Sequence, residues 1–584
     1  MENYFRKRSL LPAIALLGGL VLTACVNNDY DLNEVDSTVG IGGDGLELPA
    51  SSTDTIKLVD VLDINDDDCV KVMPNGDYVF EQAGDDVEPS YPQIDRISVQ
   101  IDESKSHQYD IPLVPTPVSG SKMQINVAGD MQTFGYDADA PSEIEHLTSA
   151  DTDAPLSFTL GVSALNSVTS SVDKIEITFP SYMTLSDVRT GNTSYELNGS
   201  KLTLLNVPTS SNLTVSANVS KLVFGVDDGS GNKLVIDYNT HKVALDGKVH
   251  VAINTEIEAG ASFTGAMMKS SFNMNNFTIT SVLGRFNPKI DLTNLGDVEV
   301  TGVPDFLTDG NVCVDLYNPQ ILLTVTSDLS MGGYVSGTLK SWKNGSVIKT
   351  VTVPEMKVNA GGTTNVCICR NSDGVEGYDV VQPVSDLSSL IETIPDKITF
   401  DADVRADYTQ NCDFELGNRY SILPKYSVVA PIAFAQKAKI VYKDSMDGWN
   451  ENIKDYELSD NSYISVTANI ENRIPAYLTL DAYAIDVDGR RMSDNDIKVE
   501  VDNTVLASAD GQTSKETPIT VKVSQKSEGA LSRLDGIAFD ITVAASDGNN
   551  QNPVVGQTLN SERHFLIARD IRIKLVGKLI ADFN

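Results

Sequence analysis

The sequence predicts an all-β protein made of tandem immunoglobulin-like β-sandwich domains on an N-terminal lipid tether. Three observations support this fold class: short runs of alternating apolar and polar residues, turn dipeptides between those runs, and a lipidation signal at the start of the chain. The run Leu213, Val215, Ala217 and Val219 alternates with Thr, Ser, Asn and Ser. Such alternation is typical of a strand with one face in a core and one face in water. Many short strands with regular turns indicate sandwiches.

The composition of the chain limits the classes of function that we expect for the protein. The chain has 584 residues, with 44 Lys+Arg against 81 Asp+Glu, and a formal net charge of −37. At roughly 150 residues per domain this length predicts about four domains. The hydrophobic content of 41% is enough to bury real cores. The strong negative charge argues against nucleic acid as a partner, because a polyanion would be repelled.

The first 25 residues predict processing rather than structure. Arg6, Lys7 and Arg8 precede a short apolar stretch over residues 10–22, which is too short to span a bilayer. The following Leu-Thr-Ala-Cys, ending at Cys25, resembles a bacterial lipobox, which implies that the Cys25 thiol carries a lipid. The alternative is an ordinary secretory signal in which Cys25 is incidental. The expected location is the cell envelope, anchored by lipid to the outer membrane, with the leaflet left open.

The chain is divided by composition and turn signals into eight segments. We expect, in order, a signal peptide at 1–24, the lipidated Cys25 with a flexible acidic tether at 25–52, a small β region at 53–115, a linker or irregular region at 116–155, a β-sandwich at 156–260, a connecting β segment at 261–308, and further β-sandwiches at 309–435 and 436–584.

Local signals refine this plan. The dipeptide Asn344-Gly345 predicts a two-residue hairpin that pairs Trp342 with Val347. The best candidate helix is 385–394, which is ended by Pro395. A repeat relates the segment 398–406 to 537–545, and each copy follows a Leu-rich turn. A second repeat relates 314–319 to 468–475, with an Asn shortly before a Pro in each copy.

These pieces carry two resemblances. The first resemblance rests on the acidic tether that runs into 46–49, on the segments 303–307 and 315–319, and on the segment from Asn472 to Pro475. Together these segments resemble a group of large Bacteroidota envelope lipoproteins. The strand-Asn-Pro-strand piece resembles the immunoglobulin-like fold of the LEA14/WHy proteins. Neither resemblance implies an activity, a cofactor or a set of functional residues.

The sequence contains few patterns that are typical of catalytic or metal-binding sites. The five His residues are scattered without paired spacing, and Cys69, Cys313, Cys367, Cys369 and Cys412 lack metal-type spacing. Their disulfide pattern is left open. Acidic turns such as 227–232 and 486–489 could hold calcium, but solvated turns are favoured among so many acidic residues. We expect no cofactor and no enzyme activity, although a carboxylate pair for hydrolysis would leave little linear trace.

Aromatic residues are the predicted binding groups. Trp449 lies in a polar, turn-rich stretch with Tyr442 and Tyr456 nearby. An indole in such a loop can stack on a sugar ring or a partner protein, or it can cap the end of its own sandwich. The favoured function is a non-catalytic surface lipoprotein acting as an interaction or scaffold protein, like an adhesin. The alternatives are a glycan-binding lipoprotein beside an outer-membrane importer and, third, a hydrolase.

Overall fold

A computed structural model of the chain describes residues 39–581, apart from gaps at 50–51, 54, 61, 63, 65–67, 119, 259–265, 293, 305–306, 308–311, 460 and 548–550. The regular secondary structure of the described residues is nearly all β-strand, so the predicted all-β class is confirmed. The signal peptide, Cys25 and the tether up to residue 38 lie outside the described residues.

The strands follow one another along the chain in short and long pieces. The first third contains β1 (Val39–Pro49), β2 (Ile56–Lys57), β3 (Val70–Val72), β4 (Tyr78–Ala83), β5 (Ile97–Ile101), β6 (His107–Gln108), β7 (Ile111–Pro112), β8 (Pro115–Pro117), β9 (Lys122–Asp139), β10 (Ile144–Leu160), β11 (Ser171–Thr178), β12 (Met183–Arg189) and β13 (Tyr195–Asn198). The middle contains β14 (Lys201–Pro208), β15 (Leu213–Val223), β16 (Val226–Asp227), β17 (Lys233–Asp237), β18 (Lys242–Glu258), β19 (Met267–Met268), β20 (Ser270–Met274), β21 (Phe277–Ile279), β22 (Ser281–Phe286), β23 (Asn294–Glu299), β24 (Gln320–Ser327), β25 (Gly333–Lys343) and β26 (Ser346–Val358). The last third contains β27 (Gly362–Cys369), β28 (Val380–Pro383), β29 (Lys397–Ala406), β30 (Cys412–Glu415), β31 (Ile422–Pro431), β32 (Lys439–Met446), helix α1 (Asn450–Ile453), β33 (Tyr456–Leu458), β34 (Tyr463–Asn472), β35 (Tyr477–Asp486), β36 (Ile497–Asp502), β37 (Lys515–Gln525), β38 (Leu534–Ala544) and β39 (Phe565–Ala581).

The first sandwich pairs an eleven-stranded sheet with a six-stranded sheet. The larger sheet has the order β13-β14-β11-β18-β9-β5-β21, with β6, β8, β16 and β17 attached, and the smaller has the order β12-β15-β10-β22-β30, with β20 attached. Phe158 on β10 packs edge-on against Phe179, which follows β11, with ring centroids 6.3 Å apart. The two sheets therefore share one aromatic and aliphatic core.

The second sandwich lies in the middle of the chain. A six-stranded sheet of order β28-β27-β24-β31-β4-β3 faces a four-stranded sheet of order β23-β29-β25-β26. The Tyr426 hydroxyl on β31 donates to the Gly296 carbonyl on β23 over 2.6 Å and so links the two sheets. The predicted hairpin is confirmed, because Trp342 pairs with Val347 around a turn at Asn344 and Gly345. Both turn residues have positive φ, as this tight hairpin requires.

The third sandwich contains the C-terminal strands. Its large sheet has seven strands in the order β1-β39-β34-β37-β36, with β2 and β33 also paired to β39. Its small sheet has three strands in the order β32-β38-β35. Ala482 of β35 and Val523 of β37 belong to one buried cluster, so the two sheets pack face to face.

The predicted linker at 116–155 is wrong. Two of the longest strands, β9 and β10, occupy it. Ser, Gly and Asp suggested a linker, but they alternate with inward residues such as Ile125, Tyr136 and Ala154, which are fully buried. The predicted helix at 385–394 is only a 3₁₀ turn at Leu387–Leu390.

Strands also cross the predicted domain boundaries. From the segment 53–115, β2 joins the third sandwich, β3 and β4 join the second, and β5 joins the first. From 261–308, β20 and β22 join the first sandwich and β23 joins the second, while β30 from 309–435 pairs with β22. The backbone N–H and C=O groups at the edge of a sheet can pair with any strand. The composition of a segment therefore does not reveal which sheet its strands join.

The repeats have structural counterparts. The segment 398–406 lies on β29, and all but the last residue of 537–545 lies on β38. The two strands follow 3₁₀ turns at Leu387–Leu390 and Leu531–Arg533. Each strand pairs on both sides within its sheet. The Asn of the second repeat accepts a backbone hydrogen bond in each copy, but the donors differ: Asn472 accepts from Ile474 in its own turn, whereas Asn318 accepts from Asn371 in a distant loop. The two copies of each repeat therefore lie in different sandwiches, the second and the third.

Candidate functional site

The third sandwich encloses a cavity because its two sheets differ in size. A sheet of three strands cannot cover the inner face of a sheet of seven, and the uncovered part becomes an internal space of about 230 Å³. The large sheet contributes Val466 and Ala468 to the wall, and the small sheet contributes Leu480. Val70 on β3 and Tyr78 on β4, which belong to the second sandwich, also line the cavity. The cavity therefore follows from sheet topology rather than from one missing side chain.

Packing around the cavity is looser than in the first sandwich. In the first sandwich the inward residues Ile175, Ile177 and Val215 are completely buried. In the third sandwich, Ala468 and Ile541, which face the cavity, are only half-buried.

The wall of the cavity is mostly aliphatic, with the aromatic residues Tyr78, Phe434 and Tyr442 among it, and two of its polar residues have hydrogen-bond partners in the protein. Thr53 accepts through Oγ1 from the Ala568 N–H at 3.0 Å. Asn503 donates from Nδ2 to the Pro518 carbonyl at 2.9 Å. Asn503 is exposed while lining the cavity, so the space reaches the surface where β36 ends. The arrangement offers contact to apolar groups within and polar contact at one end.

The structure does not bring the three predicted aromatic residues into one exposed platform. Tyr442 on β32 lines the cavity. Trp449 and Tyr456 pack against a different cluster, which is centred on Leu534, Ile537 and Phe539. All three aromatic side chains are half-buried.

The loop that carries Trp449 is held by a residue that the sequence analysis missed. The Asp535 carboxylate accepts from the backbone N–H groups of Gly448 and Asn450, at 3.1 and 3.0 Å. The Asp535 carbonyl accepts from the Trp449 N–H at 2.8 Å. The indole is thereby directed towards its own sandwich. No local pattern signals this, since Asp535 lies 85 positions from Asn450.

The cysteines are reduced in the structure. All five that it describes are free thiols, and Cys69, Cys367 and Cys369 are buried. Burial raises the pKa of the Cys69 thiol to about 11 and that of Cys367 to about 12. Protonated, buried thiols are poor nucleophiles and poor metal ligands, so these residues serve packing.

The acidic turns satisfy their own carboxylates. Asp228 accepts from the backbone and hydroxyl of Ser230 and from Asn232, and these hydrogen bonds hold its pKa well below the usual range. Among the residues that the structure describes, no group of three or more His, Cys, Asp or Glu side chains is arranged to hold a metal ion. Within the same ranges, no helix is long and apolar enough to cross a membrane.

Comparisons with known proteins give no family. No family model and no curated protein matches the chain. A crystal structure described as a "putative secreted protein" from Parabacteroides distasonis ATCC 8503 aligns with 14% identity and a TM-score of 0.35, covering 51% of this chain and 89% of that one. A chain from the Sulfolobus Turreted Icosahedral Virus aligns with 9% identity and a TM-score of 0.12, covering 75% of this chain and 89% of its own. Scores this low carry no argument about function.

Proposed function

We propose that the protein is a non-catalytic lipoprotein of the cell envelope, held at the outer membrane by a lipid on Cys25, that acts as an interaction or scaffold protein. The leader sequence and the lipobox-like Leu-Thr-Ala-Cys support the anchor. The proposed ligands are proteins or glycans outside the membrane. The tandem sandwiches are proposed to be immunoglobulin-like.

One structural observation carries the scaffold function. Strand β1, the first described after the tether, pairs antiparallel with the C-terminal strand β39 over nine residue pairs, from Val39↔Ala581 to Pro49↔Arg572. Force applied to the tether acts along β1 and loads these pairs together. A protein anchored in this way can transmit force from a bound partner to the membrane, because the hydrogen bonds between β1 and β39 resist the force together and do not break one after another.

The same pairing sets the orientation relative to the anchor. Thirteen residues lie between Cys25 and Val39, and the chain from one to the other spans at most about 50 Å. The third sandwich would therefore be the part nearest the membrane, because β1 belongs to its large sheet.

The glycan-binding alternative has less support. It needs an exposed aromatic ring with polar neighbours. Trp449, Tyr442 and Tyr456 are all half-buried, and they face a cavity or a core cluster rather than a shared surface groove.

A binding screen tests the proposal. The purified Cys25→Ser protein is applied to arrays of glycans and of envelope and host-surface proteins, and each bound ligand is analysed for chemical change. A scaffold protein gives saturable binding to a macromolecule that is recovered intact. Cleavage of any array component by the protein would contradict the non-catalytic function.

A further inference from the structure

We propose that the cavity of the third sandwich is a binding site for a linear apolar chain, namely the acyl chain of a lipid with an uncharged polar head. This activity goes beyond the scaffold function and does not depend on the lipid at Cys25. It rests on the volume of the cavity, on its mostly aliphatic wall and on the polar end at Asn503.

The chemistry of the wall selects an apolar occupant over water. A buried water needs two to four polar partners, whereas apolar cavities of about 150 Å³ stay dry and take up small hydrocarbons. The present cavity, at about 230 Å³, is larger than that. Thr53 Oγ1 and Asn503 Nδ2 already have protein partners. Methylene groups therefore fill this space more favourably than water does.

The shape between two sheets favours a chain over a compact ring. Ala468 on β34 and Ile519 on β37 lie opposite each other and both line the cavity. Further wall residues continue along the strands in both directions, through Val466 and Val521 on one side and Ile470 on the other. The cavity therefore follows β34 for three successive inward residues, opposite Leu480 and Val543 of the small sheet.

The exposed end favours an uncharged head. Asn503 presents a carboxamide there, and its chain neighbour Asp502 is also exposed. The whole chain carries a formal net charge of −37. A carboxylate or phosphate head would meet like charge, whereas the hydroxyls of a glycerol can hydrogen-bond to a carboxamide or a carboxylate.

The test uses 1-monolauroylglycerol and two variants that differ in the face of one strand. Ala468→Phe places a ring in the cavity, while Thr467→Phe places the same ring on the opposite face of β34. Calorimetric titration of the purified Cys25→Ser protein should show saturable binding of one lipid per chain. We expect at least a tenfold loss of affinity in Ala468→Phe and no more than a twofold change in Thr467→Phe.

Thermal melting checks that the variants are folded. Because Ala468→Phe fills empty space, its Tm without lipid should be at least as high as that of Thr467→Phe. Absence of saturable binding to the unsubstituted cavity, or equal affinity in the two variants, would overturn the proposal. If Ala468→Phe does not fold, a chain-length series decides: affinity must rise from monobutyroylglycerol to monolauroylglycerol, and equal affinities would overturn the site.

Discussion

Glu47 and Arg572, which are 525 positions apart in the sequence, are joined by a hydrogen bond of 3.0 Å between Oε1 and Nη1. The pair lies where β1 runs beside β39, and its neighbour Leu48 is opposite Ile573. An exposed ion pair of this kind contributes little energy by itself. Its importance is positional, because it marks the place where the start of the described chain completes the C-terminal sheet.

The first prediction concerns this completion. A fragment of residues 436–584 should fold into a β-rich domain, but with β39 unprotected at one edge because β1 is absent. Adding a peptide of residues 39–49 should raise its Tm by roughly 5–10 °C at saturating concentration, since the peptide binds only the folded fragment. Thermal melting followed by circular dichroism measures this shift.

A matched peptide provides the control for this complementation. Replacing Gly40 and Ile41 by Pro removes two successive N–H donors, of which one faces β39, so this peptide should leave the Tm unchanged. A fragment that melts identically with and without the natural peptide would show that β1 adds nothing to the third sandwich.

The second prediction concerns the anchor. Cys25→Ser removes the thiol that would carry the lipid, and the protein should move from the membrane fraction to the soluble fraction. Ultracentrifugation of cell lysates with immunoblotting measures this partition, with Cys69→Ser as the control substitution. Membrane retention of the Cys25→Ser protein would disprove lipid anchoring at this residue.

Sequence pattern predicted the local features of the fold better than its long-range pairing. The all-β class, the Trp342–Val347 hairpin and the repeated strands at 398–406 and 537–545 all follow from period-two alternation and turn chemistry. The pairing of β1 with β39 could not be predicted, because backbone hydrogen bonds carry no signature of the partner strand. The cavity also left no trace, since it arises from the unequal sizes of two sheets.

The third prediction concerns Trp449, which packs against the cluster around Leu534 and Phe539. Trp449→Ala should lower the free energy of unfolding by about 3 kcal/mol, the low end for a large aromatic residue, because the ring is half-buried. In a Trp342→Phe background, Trp449 fluorescence should be substantially protected from acrylamide. Quenching as strong as that of free tryptophan would instead support an exposed binding loop.

The fourth prediction concerns a buried ion pair in the second sandwich. The Asp315 carboxylate is buried and lies 2.9 Å from Arg370 Nη1, and it also accepts from the Lys437 N–H at 3.1 Å. Asp315→Ala should destabilise the protein by roughly 1–3 kcal/mol, because the Lys437 N–H loses its acceptor and the partly exposed Arg370 guanidinium keeps only its bond to the Leu316 carbonyl. Chemical denaturation of Asp315→Ala, of Arg370→Met and of the double variant measures the coupling. Additive effects would show that the pair does not act as a unit.

The last prediction concerns pH and His564. This side chain is buried before β39, and its Nδ1 accepts from the Asn560 N–H at 3.0 Å. Burial, with a smaller contribution from the nearby Arg563 charge, lowers the pKa of His564 to about 4. Protonation of the ring is therefore less favourable in the folded protein than in the unfolded chain, where the pKa of His is near 6.5.

The sign of the effect follows from this difference. Stabilisation by neutral His564 is fully present above pH 6.5 and is lost as the pH falls towards 4, by up to about 3 kcal/mol. Carboxylates also titrate as the pH falls, so the comparison is with His564→Gln, which retains polar atoms but does not titrate. Urea unfolding at several pH values between 7 and 4 should give a steeper loss of stability in the natural protein than in the variant. Parallel pH profiles would mean that His564 titrates alike in the folded and unfolded chains.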